Sequence, residues 1–156
     1  MLLSAFDSPA EADLVDALRA GGWARAGLSI VAVDDDAVIG QVLVTPGAIE
    51  RDDGVTISAL GLGPIAVRAD RQGRGVGSAL MEAAIARIRA RPEPGVFLLG
   101  HRTYYPRFGF VPASLFGIRN HFGIEGPEWM ALERLPGLLS SAGPGVFGYA
   151  PPFGDA

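Results

Sequence analysis

The sequence predicts an α/β (α+β) fold, a mixed central sheet flanked by helices. Three observations carry that prediction. Residues 28–67 hold apolar runs of strand character separated by Asp34-Asp35-Asp36 and Asp52-Asp53-Gly54, the punctuation of successive hairpins. Residues 62–84, LGPIAVRADRQGRGVGSALMEAA, pass from a short apolar run through a glycine-rich turn into a helical pattern. Residues 95–99 are wholly apolar, as in a strand buried on both faces. Strand, helix and neighbouring strand then form a right-handed crossover unit.

Composition narrows the class. With 156 residues, 49% apolar and 19% charged, the chain predicts one soluble domain over residues 1–156. No apolar run reaches the length of a membrane span, and no basic region precedes the apolar N-terminus, so neither a membrane anchor nor a signal peptide is expected. Cysteine is absent, which excludes disulfides, cysteine-ligated zinc and a cysteine nucleophile and fits a cytoplasmic protein. The two histidines lie far apart in sequence, so no metal site is expected. The net charge is −4 and all 13 basic residues are arginine. An acidic chain without a basic run argues against nucleic acid and favours an amine substrate. Arginine without lysine, beside abundant alanine and glycine, points to a high-GC bacterial genome.

Taken in order, Ser8-Pro9-Ala10-Glu11 reads as a capped helix start, serine before proline with an acid in the first turn. Leu14, Val15 and Leu18 form its apolar face and Gly21-Gly22 its stop. Trp23 reads as a core or lid aromatic. Residues 28–33 and 37–45 make a hairpin around the three aspartates, which read as a solvated turn and not as a metal site. Pro46-Gly47 disturbs the second strand. Residues 55–67 form a third strand, interrupted at Gly61, Gly63 and Pro64; glycine and proline inside a strand mark a bulge or a close backbone approach. The helix from Gly75 to about Ala90 turns Val76, Leu80, Met81, Ala84, Ile85 and Ile88 inward, and Pro92 and Pro94 end it. Residues 129–135 and 145–149 read as later strands, with a loop before the first of them.

The glycine turn is where chemistry enters. The first N–H groups of a helix lack intrahelical partners and carry partial positive charge. Glycines let an anion approach them, and Arg71 and Arg74 can add charge-assisted hydrogen bonds. A Walker A loop requires a lysine, and the chain has none. A dinucleotide fingerprint requires a third glycine where Ser78 stands. An ordinary strand-to-helix turn would use the same glycines. What fits better is Gln72-Gly73-Arg74-Gly75-Val76-Gly77, following a strand that ends Ile65-Ala66-Val67. This resembles the acyl-CoA pyrophosphate loop of the GNAT superfamily of N-acetyltransferases. A second stretch extends the resemblance: Gly100-His101-Arg102-Thr103-Tyr104-Tyr105-Pro106-Arg107-Phe108-Gly109-Phe110, where Tyr105 stands four residues before a Gly-Phe pair. This wider form is similar to a YhbS-like bacterial branch, although Arg102 stands where that branch often has proline.

The resemblance implies the GNAT acyl-CoA N-acyltransferase fold, with acetyl-CoA as cosubstrate and an amine, small-molecule or peptide, as acceptor. It implies that the backbone of Ile65, Ala66 and Val67 pairs with the pantetheine arm in a gap beside a bulged strand. Arg71, Gln72, Gly73, Arg74, Gly75, Val76, Gly77 and Ser78 would hold the pyrophosphate, and Tyr105 would protonate the leaving thiolate. Without cysteine, direct attack in a ternary complex is expected. Glu50, His101, His121 and Glu128 all stand in expected cleft segments, and none is singled out as the base. An acyl-CoA-binding sensor without turnover would keep the same loop. The family's usual first strand is expected to be missing, because only residues 1–8 precede the capped helix. Either the start codon lies upstream, or the open edge of the 28–33 strand is covered by another element or chain.

Overall fold

The computed structural model describes residues 10–23 and 28–153. The elements are α1 (Ala10–Ala20), β1 (Ser29–Asp34), β2 (Ala37–Arg51), β3 (Thr56–Val67), α2 (Val76–Arg89), β4 (Gly95–Leu99), β5 (Val111–Pro112), β6 (Ile118–Asn120), β7 (Trp129–Glu133), α3 (Leu138–Ala142) and β8 (Gly145–Gly148). Contacts group the chain into two compact units, one of Met1–Thr45 with Leu62–Arg87, the other of Pro46–Gly61 with Ile88–Ala156. The long strands β2 and β3 each pass from one unit into the other.

In the first unit, α1 buries Val15 and Leu18 completely. It ends as Gly21-Gly22 predicts. Gly22 is left-handed at φ +77°, its N–H donates to the Arg19 carbonyl at 3.2 Å, and Trp23 N–H donates to the Leu18 carbonyl at 2.9 Å. These are the paired bonds of a Schellman cap. Ser8 and Pro9 lie outside the described residues. So does the stretch that bears on the expected missing first strand. The β1–β2 hairpin turns on Asp35 and Asp36, both at positive φ (47° and 62°), the backbone of a two-residue primed turn. Asp35 and Asp36 therefore make the turn, while Asp34 ends β1 opposite Ala37. Helix α2 buries Leu80, Met81 and Ala84. It can sit close to β2 because Gly40 has no side chain: a Cβ there would lie 3.0 Å from Leu80 and 3.1 Å from Val76.

In the second unit the strand order is β5-β7-β4-β3-β2-β8-β6. The sheet is mixed. β3–β4 and β6–β8 are parallel, while β2–β8, β4–β7 and β5–β7 are antiparallel. Its core is aromatic, with Phe97 stacked on Phe147 at 4.6 Å and on Trp129 at 5.3 Å. The parallel β3–β4 pairing joins Leu60 to Val96 and Gly61 to Phe97 and goes no further.

Two sequence expectations need correction. β2 does not stop at Thr45 but continues through Pro46-Gly47 to Arg51. Its partner β1 pairs as far as Leu43 and its partner β8 begins at Ala48. Pro46 falls between them, where neither needs its missing N–H. Within the region read as a loop, Ile118–Asn120 forms β6 against β8. Three residues are too few to show a period.

Gly47 permits that passage. A Cβ there would stand 2.6 Å from the Gly148 carbonyl oxygen and 2.6 Å from the Phe147 ring. Gly47→Ala should destabilise the fold by ~1–3 kcal/mol, the usual cost of overpacking, visible as a lowered urea midpoint. An unchanged midpoint would contradict the crowding.

Candidate active site

In the first unit, β3 delivers Ile65, Ala66 and Val67 to the start of the glycine turn, Ala66 buried and its neighbours half-buried. A short 3₁₀ turn, Ala69–Arg71, follows, then the loop, then α2. Gly73 and Gly75 are left-handed, at φ +75° and +83°, and a Cβ at either would meet nothing within 4 Å. Their role is therefore conformational, and the space over the loop is open. The Gly75 carbonyl accepts the Ala79 N–H at 3.0 Å, which makes Gly75 the N-cap of α2. The N–H groups of Val76, Gly77 and Ser78 are then the first three of the helix and free for an anion. Gln72 donates from Nε2 to the Val67 carbonyl at 3.0 Å, so its side chain ties the loop to the end of the strand.

The two arginines differ. Arg71 is paired with Asp34 and lies 3.9 Å from Asp70. Asp70 is itself held by two hydrogen bonds from Arg68, at 2.6 and 2.9 Å, which keep its carboxyl below the usual range. Arg74 is exposed and has no ion-pair or hydrogen-bond partner among the described residues. It is the unspent cation of the loop, while Arg71 shares its charge with the β1–β2 turn.

In the second unit, Tyr105 opens the 3₁₀ turn Tyr105–Phe108, with Pro106 in the first turn and left-handed Gly109 (φ +99°) closing it. The His101 carbonyl accepts the N–H groups of Tyr104 and Tyr105 at 3.1 and 3.4 Å. Its backbone, with the imidazole exposed to solvent, thus sets the two tyrosines. The Tyr105 ring is 9% exposed and packs edge-on to Tyr104 at 5.0 Å and to Phe110 at 6.1 Å. It lies on Gly100, where a Cβ would fall 2.3 Å from the ring. The hydroxyl has no hydrogen-bond partner among the described residues, and its oxygen is not among the fully buried unpaired atoms. Burial, and secondarily Tyr104, raises its pKa above the ordinary tyrosine value. The phenol is a held, protonated donor with a free tip.

The acetyltransferase (GNAT) domain family matches residues 5–113. The chain belongs to the GNAT acetyltransferase family. Among GNAT relatives, it is 37% identical over 110 residues to the uncharacterized N-acetyltransferase YjhQ of Escherichia coli, covering 70% of this chain and 60% of YjhQ. The chain thus spans less than two thirds of that relative's length. The crystal structure of E. coli YhbS, a GNAT protein in complex with CoA, superposes with a TM-score of 0.82 at 29% identity, covering 96% of this chain and 80% of that one. A GNAT acetyltransferase of Brucella melitensis in complex with acetyl-CoA gives a TM-score of 0.72 at 31% identity over 96% of this chain and 81% of the other. The mixed sheet and helices described above are the GNAT fold.

Of the residues predicted from sequence, Ile65 to Ser78 follow one another along the chain in the first unit, from the end of β3 into α2, and Tyr105 sits in the second. Sequence reasoning passed over Tyr149. Its ring packs on Gly61, where a Cβ would lie 2.8 Å away, at the last residue of the β3–β4 pairing. Nothing local marks it. It follows a four-residue strand, and its contact is with a residue far back in the chain. A cavity of about 1000 Å³ in the second unit, bounded by Ile118, Ile124 and Trp129, contains none of the predicted site residues.

Proposed function

We propose that this chain is an acetyl-CoA-dependent N-acetyltransferase working by direct attack in a ternary complex. The observation that carries the proposal is the open left-handed glycine turn, with the first N–H groups of α2 behind it and Arg74 beside it, without a partner among the described residues. That surface is built for a pyrophosphate. The CoA and acetyl-CoA complexes of the E. coli and Brucella relatives support the same ligand.

The roles follow from the chemistry of acyl transfer. The loop residues Arg71 to Ser78 hold the pyrophosphate, with Arg74 supplying most of the free charge. The backbone of Ile65, Ala66 and Val67 pairs with the pantetheine arm, and an N–H near Val67 polarises the thioester carbonyl. The amine, as free base, attacks that carbon, the carbon–sulfur bond breaks, and Tyr105 gives its proton to the departing sulfur; the nitrogen loses a proton to solvent as it becomes an amide, and the phenolate takes one back. Buried and raised in pKa, Tyr105 stays protonated throughout the neutral range. No cysteine exists to form an acyl-enzyme.

The acceptor is an amine, and the family match, which runs through both units, supports treating residues 1–156 as one acetyltransferase domain. We place it in the cytoplasm, in keeping with the absence of cysteine. No described helix is long and apolar enough to cross a membrane. A second copy of the chain as partner is part of the same proposal, supported by the outward Val31 and Val33 of β1, 47% and 58% exposed.

The test is thiol release from acetyl-CoA with benzylamine, spermidine, free lysine, kanamycin and a short unblocked peptide, beside calorimetric titration of acetyl-CoA alone. Binding with amine-dependent release is expected. Binding without release from any amine would make the chain a sensor, and absence of binding would overturn the reading.

A further inference from the structure

We propose that Asp34 is a positioning residue for the cofactor: through its ion pair with Arg71 it holds the glycine turn in the shape that receives the pyrophosphate. This rests on the acetyl-CoA reading and goes beyond it by naming a residue outside the turn.

Burial does little to hold this part of the chain. The 3₁₀ turn Ala69–Arg71 buries no residue. Gln72, Gly73, Arg74 and Gly75 are all exposed, and a Cβ on Gly73 or Gly75 would meet nothing within 4 Å. A segment with so few packed side chains keeps its shape through its polar ties.

Those ties can be followed one by one. The Arg71 N–H donates to the Arg68 carbonyl at 2.8 Å and closes the 3₁₀ turn. The Arg68 guanidinium donates to both oxygens of Asp70, at 2.6 and 2.9 Å. Gln72 donates from Nε2 to the Val67 carbonyl at 3.0 Å. Each of these joins residues within 67–72. Among the described residues, the pair of Arg71 with Asp34 is the one side-chain hydrogen bond or ion pair of residues 68–75 that reaches another element.

Asp34 is a fixed anchor. It is the last residue of β1, opposite Ala37, and the two residues after it make a tight turn at positive φ. The Arg68 N–H donates to the Ile39 carbonyl of β2 at 2.7 Å, so the chain leaving β3 is moored to the same hairpin that carries Asp34. Carboxylate and guanidinium therefore meet from two backbones already held together.

The charges give the proposal a sign. A carboxylate near a pyrophosphate repels it, and Asp34 also takes up part of the Arg71 charge. On charge alone, removing Asp34 should strengthen the binding of an anion. A positioning role predicts the opposite, because a loop already in its bound shape loses less freedom when the ligand arrives. The pair is partly exposed, 26% for the Arg71 side chain and 44% for Asp34, so its loss should leave global stability close to wild type.

The test is calorimetric titration of acetyl-CoA into wild type, Asp34→Asn, Asp34→Glu, Arg71→Gln and the variant carrying both Asp34→Asn and Arg71→Gln, with thermal midpoints to check folding. Asp34→Asn should weaken binding roughly 3–30-fold, within the coupling range of one ion-pair network, although the protein has become less negative. Asp34→Glu keeps the charge and should recover part of that loss. Adding Asp34→Asn to Arg71→Gln should cost nothing further, since the carboxylate acts through that guanidinium. Unchanged or tighter binding in Asp34→Asn would overturn the positioning role and leave the acetyl-CoA reading intact. A loss in the double variant equal to the product of the two single losses would overturn it as well. A wild type that does not bind acetyl-CoA would overturn both.

Discussion

Tyr105→Phe should lower kcat ~10²–10⁴-fold, the range over which a positioned general acid contributes. Phenylalanine keeps what the fold uses. The ring lies on Gly100 and against Phe110, and the hydroxyl bonds to nothing among the described residues. Removing that oxygen should cost little stability and no packing, so a loss of rate reads as loss of the proton. Acetyl-CoA affinity should stay within a factor of about two, because a group used only in the transition state does not strengthen ground-state binding. Tyr104→Phe should cost less. Tyr104 is half-buried, holds the Arg107 guanidinium over its ring at 4.7 Å, and stands edge-on to Tyr105. The measurement is steady-state turnover of both variants under conditions where chemistry limits the rate. A larger loss in Tyr104→Phe would move the role to that neighbour. The raised pKa of Tyr105 also sets a sign: the alkaline fall in rate should lie above the ordinary tyrosine value, because burial disfavours the phenolate.

Gly75→Asp should weaken acetyl-CoA binding ~100-fold or more, and a control is needed to read it. Gly75 is left-handed at φ +83°, so any side chain strains the backbone, aspartate less than most. Space is not the obstacle, since a Cβ there meets nothing within 4 Å. Gly75→Ala therefore carries the strain without the charge. The aspartate adds a carboxylate to the N-cap of α2, where the pyrophosphate should lie. Two charges about 4 Å apart near a protein surface repel by ~4 kcal/mol, which is nearly three orders of magnitude in affinity. Calorimetry on both variants separates the two effects. Equal losses would show that geometry and not charge governs the site, and unchanged binding in folded Gly75→Asp would remove the pyrophosphate from this loop.

The parts of the fold legible in sequence were those with a local physical signal. Gly21-Gly22 reads as a helix stop because a Schellman cap needs a residue at positive φ, and Gly22 supplies it. The run of residues 95–99 reads as a buried strand because no polar side alternates, and β4 has those bounds. Gly73 and Gly75 read as making room for an anion; both are left-handed and a Cβ at either meets nothing within 4 Å, so what they supply is conformation. What the sequence hid depends on distant partners. Pro46 reads as a strand end until β1 and β8 are seen to leave it a gap. Arg71 and Arg74 look alike in the loop, and only the turn 37 residues upstream tells which one is spent. Tyr149 carries no spacing signal; it packs on Gly61, a residue far back in the chain.

Catalysis by this chain means that acetyl moves from sulfur to nitrogen. The direct measurement is to incubate the purified protein with isotope-labelled acetyl-CoA and the amine panel, and to follow the label by mass spectrometry. The label should appear on the amine nitrogen in step with free CoA, in wild type and in Tyr104→Phe, with a much slower appearance in Tyr105→Phe. Label that stays on CoA, or that is released as acetate at a rate no amine alters, would contradict it.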